Sequence, residues 1–184
     1  MEAVINHRIL FLLLSLVLTI LFVILVPPVS QDLKYHNFVD QRSIAGIPNF
    51  WNVVTNIPFL VIGLKGFFKI QRQELTGMLP ELFRAYLTFF IGLLLIGLGS
   101  GYYHLNPSNS TLVGDRMAIT VTFMSFFVLA IGESISTKTA SRLLFPLIFL
   151  GLASVIYWNI TENLGIGDLR FYALVQFLPM LIIP

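Results

Sequence analysis

Six stretches of this chain carry no Asp, Glu, Lys or Arg over most or all of a membrane-spanning length: residues 9–26, 43–64, 85–103, 117–132, 143–161, and a last run that opens at 171. An α-helix crosses the roughly 30 Å hydrocarbon core of a bilayer in about 20 residues, so most of these runs suffice and the shorter ones borrow from their flanks. Apolar and polar residues do not alternate at every second position, which excludes the apolar-out, polar-in pattern of a membrane barrel. The expectation is an all-α, polytopic transmembrane helix bundle with six spans. Composition agrees, with 57% of residues hydrophobic, 11% charged and a mean hydropathy of +0.87, far outside the soluble range.

The formal net charge of +2 is spread between the apolar runs and forms no basic patch, so nucleic acid is excluded as a partner and the bilayer and its lipids are left. There is no cysteine. Disulfides and thiolate metal sites are therefore excluded, and any metal must be held by histidine and oxygen ligands. The first run lies between Arg8 and Pro27-Pro28. It exceeds the about 7 to 15 apolar residues of a signal peptide and lacks an obvious small-x-small cleavage site, so residues 1–30 read as an uncleaved anchor helix. Arg8, Lys65, Lys69, Arg72, Arg84, Lys138 and Arg142 fall on the amino-terminal side of the bundle, against Lys34, Arg42, Arg116 and Arg170 on the other. The positive-inside rule then puts the amino terminus in the cytoplasm.

The third run ends in "GSGYYHLNPSNSTLVGDRM", where Ser100 and His104 stand at i and i+4 on one helix face. Asn106, Pro107, Ser108 and Asn109 are turn formers that end this helix, and a fourth span starting near Gly114 would put Asp115 in its first turn. Three polar side chains then converge at one depth on the outer face. Taken singly, each also reads as an interfacial or capping residue, or as a serine satisfying a backbone carbonyl. Gly97, Gly99 and Gly101 around the serine allow a neighbouring helix or a substrate to approach closely. A second group precedes and enters the second span. Asn37, Asp40 and Asn49 are oxygen donors near the same surface, and Asn49, Asn52 and Asn56 form an amide stripe that suits interhelical hydrogen bonding. Trp51 suits an interfacial anchor, and Pro58 permits a kink.

"IPNFWNVVTN", then "SGYYH", then an aspartate eleven residues past the histidine resembles the alkaline ceramidase family and its wider superfamily of membrane metal-dependent hydrolases. The likeness continues through "GLASVIYW" and "GDLRFYALVQFLP" and covers residues 35–184. It implies a seven-helix core that cleaves ceramide, or a related long-chain amide lipid, to a fatty acid and a sphingoid base at an intramembrane zinc. Residues 1–30 add a helix ahead of that core, and 1–184 form a single transmembrane domain. By the same resemblance, His104 is a zinc ligand, Ser100 steadies the oxyanion, and Asp115 is the acid/base partner of the attacking water. The chemistry is sound: zinc polarises a carbonyl and acidifies water, a carboxylate carries the proton, and a hydroxyl donates to developing negative charge.

Two departures from the family pattern stand out. Its other two zinc ligands are a His-x-x-x-His pair on the last helix, whereas the histidines here are His7, His36 and His104. A catalytic zinc ordinarily takes three protein ligands and keeps an open position. The expectation is a chain that lacks two carboxy-terminal helices of the family core, with the missing ligands beyond Pro184. The alternatives are a degenerate, non-catalytic member or a receptor-like or scaffold bundle, or His36 as a substitute ligand. The second departure concerns calcium. The eukaryotic ceramidases hold it with an acidic loop and a glutamate just before "FWN", and here that position is Asn49. Hard divalent cations prefer several carboxylates, so Asn37, Asp40 and Asn49 argue against calcium dependence.

Overall fold

The computed structural model describes residues 10, 14 and 17–182. It is all-helical: among the described residues there is no strand, only one isolated bridge between Ile44 and Ile47. Helix α1 is described over 17–25. After it come α2 (Phe50–Val54), α3 (Ile57–Gln71), α4 (Phe83–Leu105), α5 (Asn109–Ser134), α6 (Thr137–Asn163) and α7 (Arg170–Ile182). Four segments are long and apolar enough to cross a membrane: Phe50–Gln71, Pro80–Leu105, Asn109–Ser134 and Thr137–Asn163. Helices α1 and α7 occupy the other two expected runs, part of the first of which, with His7, lies outside the described residues.

Helix α5 is the centre of the bundle, packed between α4 and α6, with α3 beyond α4 and α7 against α6 and α5. Hydroxyl side chains share its interior with the apolar core, and large apolar side chains cover much of its exterior. Thr120, Ser125 and Ser154 are fully buried, whereas Leu98, Phe145 and Phe149 are 62%, 61% and 76% exposed on the outside. Water would penalise that arrangement and hydrocarbon rewards it, because helices in lipid associate through small and hydrogen-bonding residues while large apolar side chains face the acyl chains. Close approach follows from glycine: a Cβ at Gly66 would overlap the Phe90 ring across the α3–α4 contact, and one at Gly151 would overlap Thr120 across α5–α6.

Several boundaries differ from expectation, for local reasons. The second span begins at Phe50 and not at residue 43, because Ala45, Gly46 and Asn49 adopt positive φ (53°, 79° and 48°) and Ile44 and Ile47 pair across the resulting turn. The helix then extends past residue 64 to Gln71, carrying Lys65 and Lys69, whose long apolar stems let the ammonium groups reach the interface. It breaks between α2 and α3 at Thr55–Asn56, just before Pro58, which has no N–H to continue the ladder. The fourth span begins at Asn109 and not near Gly114. Ser108 and Thr111 form a reciprocal cap there, each side-chain oxygen accepting from the other's backbone N–H at 3.2 and 3.1 Å. Asp115 therefore sits in the second turn, inside the bundle, and not among the free N–H groups of the first.

Candidate active site

The end of α4 presents Ser100 and His104 on one face, and the second turn of α5 presents Asp115 opposite. Gly99 sets how closely the two helices meet, since a Cβ there would lie 3.0 Å from the Gly114 carbonyl oxygen. At that separation the Ser100 hydroxyl lies beside the Asp115 carboxylate. Both residues are buried, at 8% and 6% exposure. Oδ1 of that carboxylate is buried without a partner, and so is Nδ1 of His104. Buried polar atoms in native folds are nearly always hydrogen-bonded, so two orphans on facing helices mark a place built for something else to bind. The His104 ring is held edge-on by Phe38, at 4.7 Å between centroids. Its backbone carbonyl accepts a hydrogen bond from Asn49 Nδ2 at 2.9 Å, which ties α4's last turn to the start of α2.

His104 Nδ1 and Asp115 Oδ1 are chemically suited to zinc, one imidazole nitrogen and one carboxylate oxygen. They are two donors, where a catalytic zinc ordinarily takes three. Among the described residues no group of three His, Cys, Asp or Glu side chains stands close enough to hold a metal ion. His36 is engaged elsewhere: Nδ1 lies 3.0 Å from the Tyr103 hydroxyl and Nε2 2.9 Å from Asn109 Oδ1, so both ring nitrogens have protein partners. Of the second set of oxygen donors, the Asp40 carboxylate is committed. Asp40 accepts from Arg42 through one carboxylate oxygen and from the Trp51 N–H at 3.0 Å through the other, and the Arg42 guanidinium holds its carboxyl below the usual range. Asn52 Nδ2 donates to the Asp40 carbonyl at 3.4 Å, Asn56 Nδ2 to the Asn52 carbonyl at 2.7 Å, and the backbone N–H of Asn37 closes a turn on the Lys34 carbonyl at 2.9 Å.

Residues 36–183 match the family model described as Ceramidase. The chain belongs to the ceramidase family. It is thus a membrane protein with the makings of an amide-bond hydrolase, and a lipid substrate goes with that family. Ser100, His104, Asp115 and all of α2 to α7 fall inside the matched range, while the described part of α1 precedes it. No curated protein and no solved structure matches the chain.

The sequence reading missed the polar layer around this site. Arg116 counted only as one more basic residue on the outer side, yet it is buried at 7% exposure. Gln31 bonds it through Oε1 at 2.6 Å, and the backbone N–H of Gln31 donates to both carboxylate oxygens of Glu162, at 3.0 and 3.2 Å. Trp158 Nε1 donates to the same carboxylate at 3.1 Å. The missed signal was Trp158 and Glu162 at i and i+4, one turn apart near the end of α6.

Proposed function

We propose that this chain is a membrane-embedded, zinc-dependent amidohydrolase that cleaves the amide bond of a ceramide or a related long-chain lipid, giving a fatty acid and an amine. The observation that carries the reading is the pair of buried, unpartnered donors, His104 Nδ1 and Asp115 Oδ1, with the Ser100 hydroxyl beside the same carboxylate. Zinc, when bound, supplies Lewis-acid polarisation of the amide and activation of water. His104 is the residue of this chain that would hold it. Asp115 accepts the proton of the attacking water at its carboxylate and returns it to the departing amine nitrogen, without which the amine cannot leave. The Ser100 hydroxyl donates towards the oxygen on which negative charge develops. The site lies on the outer face, with the amino terminus in the cytoplasm.

The competing reading is a helix bundle without catalysis, favoured by the lack of a third donor among the described residues. Fatty-acid release from an N-acyl sphingoid lipid separates the two, measured on the full chain in lipid nanodiscs with zinc supplied. Turnover by the parent that falls about 10² to 10⁴-fold in Asp115→Asn supports the hydrolase. Equal rates for parent and variant would sink it.

A further inference from the structure

The Arg116 guanidinium is a buried cation with an unfinished set of partners. Its carbon lies 4.0 Å from the centre of the Trp158 ring and 4.8 Å from that of Tyr172, and NH2 donates to Gln31 Oε1 at 2.6 Å. That acceptor is itself fixed, because the Gln31 backbone is pinned by Glu162 and its Nε2 donates to the Asp32 carbonyl at 3.1 Å. NH1 is buried and has no partner, and among the described residues Arg116 forms no ion pair. An ionised N–H removed from water and left unbonded is costly, and a charged group at membrane depth is kept where it serves a ligand or a pathway. The position fits a ligand of the site already described. Arg116 follows Asp115 in α5, and Tyr103 and Tyr172 each lie within electrostatic reach of both residues.

We propose that Arg116 NH1 is a carboxylate-binding group at the edge of the active site. A planar guanidinium, held by aromatic faces on one side and by a fixed amide on another, is preorganised for a carboxylate in a way that a flexible lysine is not. The assignment rests on the amidohydrolase reading, which offers two sources of that chemistry. One is the fatty acid released by hydrolysis. The other is an acidic group on the amine side of the substrate, as in an N-acyl amino acid.

The test reads binding without turnover. The chain has two tryptophans, so Trp51→Phe leaves Trp158, against the guanidinium, as the single reporter. Full-length protein in phosphatidylcholine nanodiscs, with no zinc added, is titrated with palmitate against hexadecanol and with N-palmitoylglycine against N-palmitoylethanolamine, at a pH where the acids are ionised. The expected result is an acid bound at least about tenfold more tightly than its neutral analogue in one pair, the scale of one charge-assisted hydrogen bond. The discriminating pair identifies the source. Arg116→Lys should bind acid and neutral lipid alike while retaining the parent's helical content. Equal binding within both pairs by the parent, a comparison that needs no Arg116 variant, overturns the proposal, as does discrimination that survives in Arg116→Lys. Amide turnover measured on the same discs after zinc is supplied separates the two claims: turnover without carboxylate discrimination removes only the role of Arg116, whereas discrimination without turnover keeps that role and removes the hydrolase.

Discussion

Asp115 is the residue on which most of the site turns, because its carboxylate lies beside the Ser100 hydroxyl and its Oδ1 is buried without a partner. Its neighbours divide the remaining work in a way that substitution can separate. His104→Ala should lose bound zinc and activity together, read by metal analysis of the purified protein alongside fatty-acid release. Ser100→Ala should keep zinc and fold, with the rate falling by about 10² to 10³, the cost of one oxyanion donor. Asn52→Ala removes only a contact to the Asp40 carbonyl, so it should lower thermal stability and leave the rate per folded molecule unchanged. Retained zinc in His104→Ala, or a parent-like rate in Ser100→Ala, would return these residues to interfacial caps. The spacing of Ser100, His104 and Asp115 was readable in sequence because i, i+4 geometry and a short turn leave little freedom. Arg116 was not, since a basic residue beside a loop looks like a flanking charge until the helix is known to begin seven positions earlier, at Asn109.

At the scale of elements, the same error shows what charge-free runs can and cannot reveal. They located every described span of the bundle but misplaced several ends, because Ser108 and Thr111 cap a helix without a charge and the 44–47 turn is built from apolar residues, neither of which a hydropathy count registers, and α6 takes in Lys138 and Arg142 ahead of its charge-free run. The close approach of α4 and α5 is testable at Gly99. Gly99→Ala places a methyl 3.0 Å from the Gly114 carbonyl and should part Ser100 from Asp115, lowering the rate about tenfold. Gly101→Ala meets only Asn56 Cβ at 4.0 Å and should leave it unchanged. Equal rates for the two variants would mean that the α4–α5 separation does not set the chemistry. A second contact joins α1 to the α6–α7 connection. Arg170 pairs with Asp168 at 2.7 Å and donates to the carbonyls of Val23 and Val26 at 2.8 and 2.7 Å. Hydrogen bonding from Arg170 holds the Asp168 carboxyl at about 2, against an ordinary 3.8. A depressed carboxylate contributes fully above its unfolded value and is lost as pH falls through its folded one. Pepsin cleavage within residues 26–32 should therefore rise as pH drops from 3.8 towards about 2 in the parent, and should be high across that range in Asp168→Asn.

Across the whole molecule, hydroxyls and amides are bonded inside beside the apolar core, as between Gln176 Nε2 and Thr120 Oγ1 at 2.7 Å, while many leucines and phenylalanines face outwards. Such a bundle is stable only with hydrocarbon around it, and its orientation is then set by the charges that cannot cross. Lys65, Lys69, Arg72 and Arg84 flank the α3–α4 connection, and Lys138 and Arg142 begin α6 at the same end. The α4–α5 connection, beside the candidate site, has no basic residue between Leu105 and Asn109. The reporter positions must leave the turns intact. Gly77 has φ of 79° and Ser108 caps α5, so a cysteine at either would disturb what it reports on. Thr76 and Asn106 are exposed at the two connections. In a chain without native cysteine, Asn106→Cys should react with an impermeant maleimide added to intact cells, and Thr76→Cys only after the membrane is opened. The reverse pattern would place the site on the cytoplasmic face. Reaction of both positions from the same side would mean that α4 does not cross the membrane, and the depth argument that brings Ser100, His104 and Asp115 to the outer face would go with it.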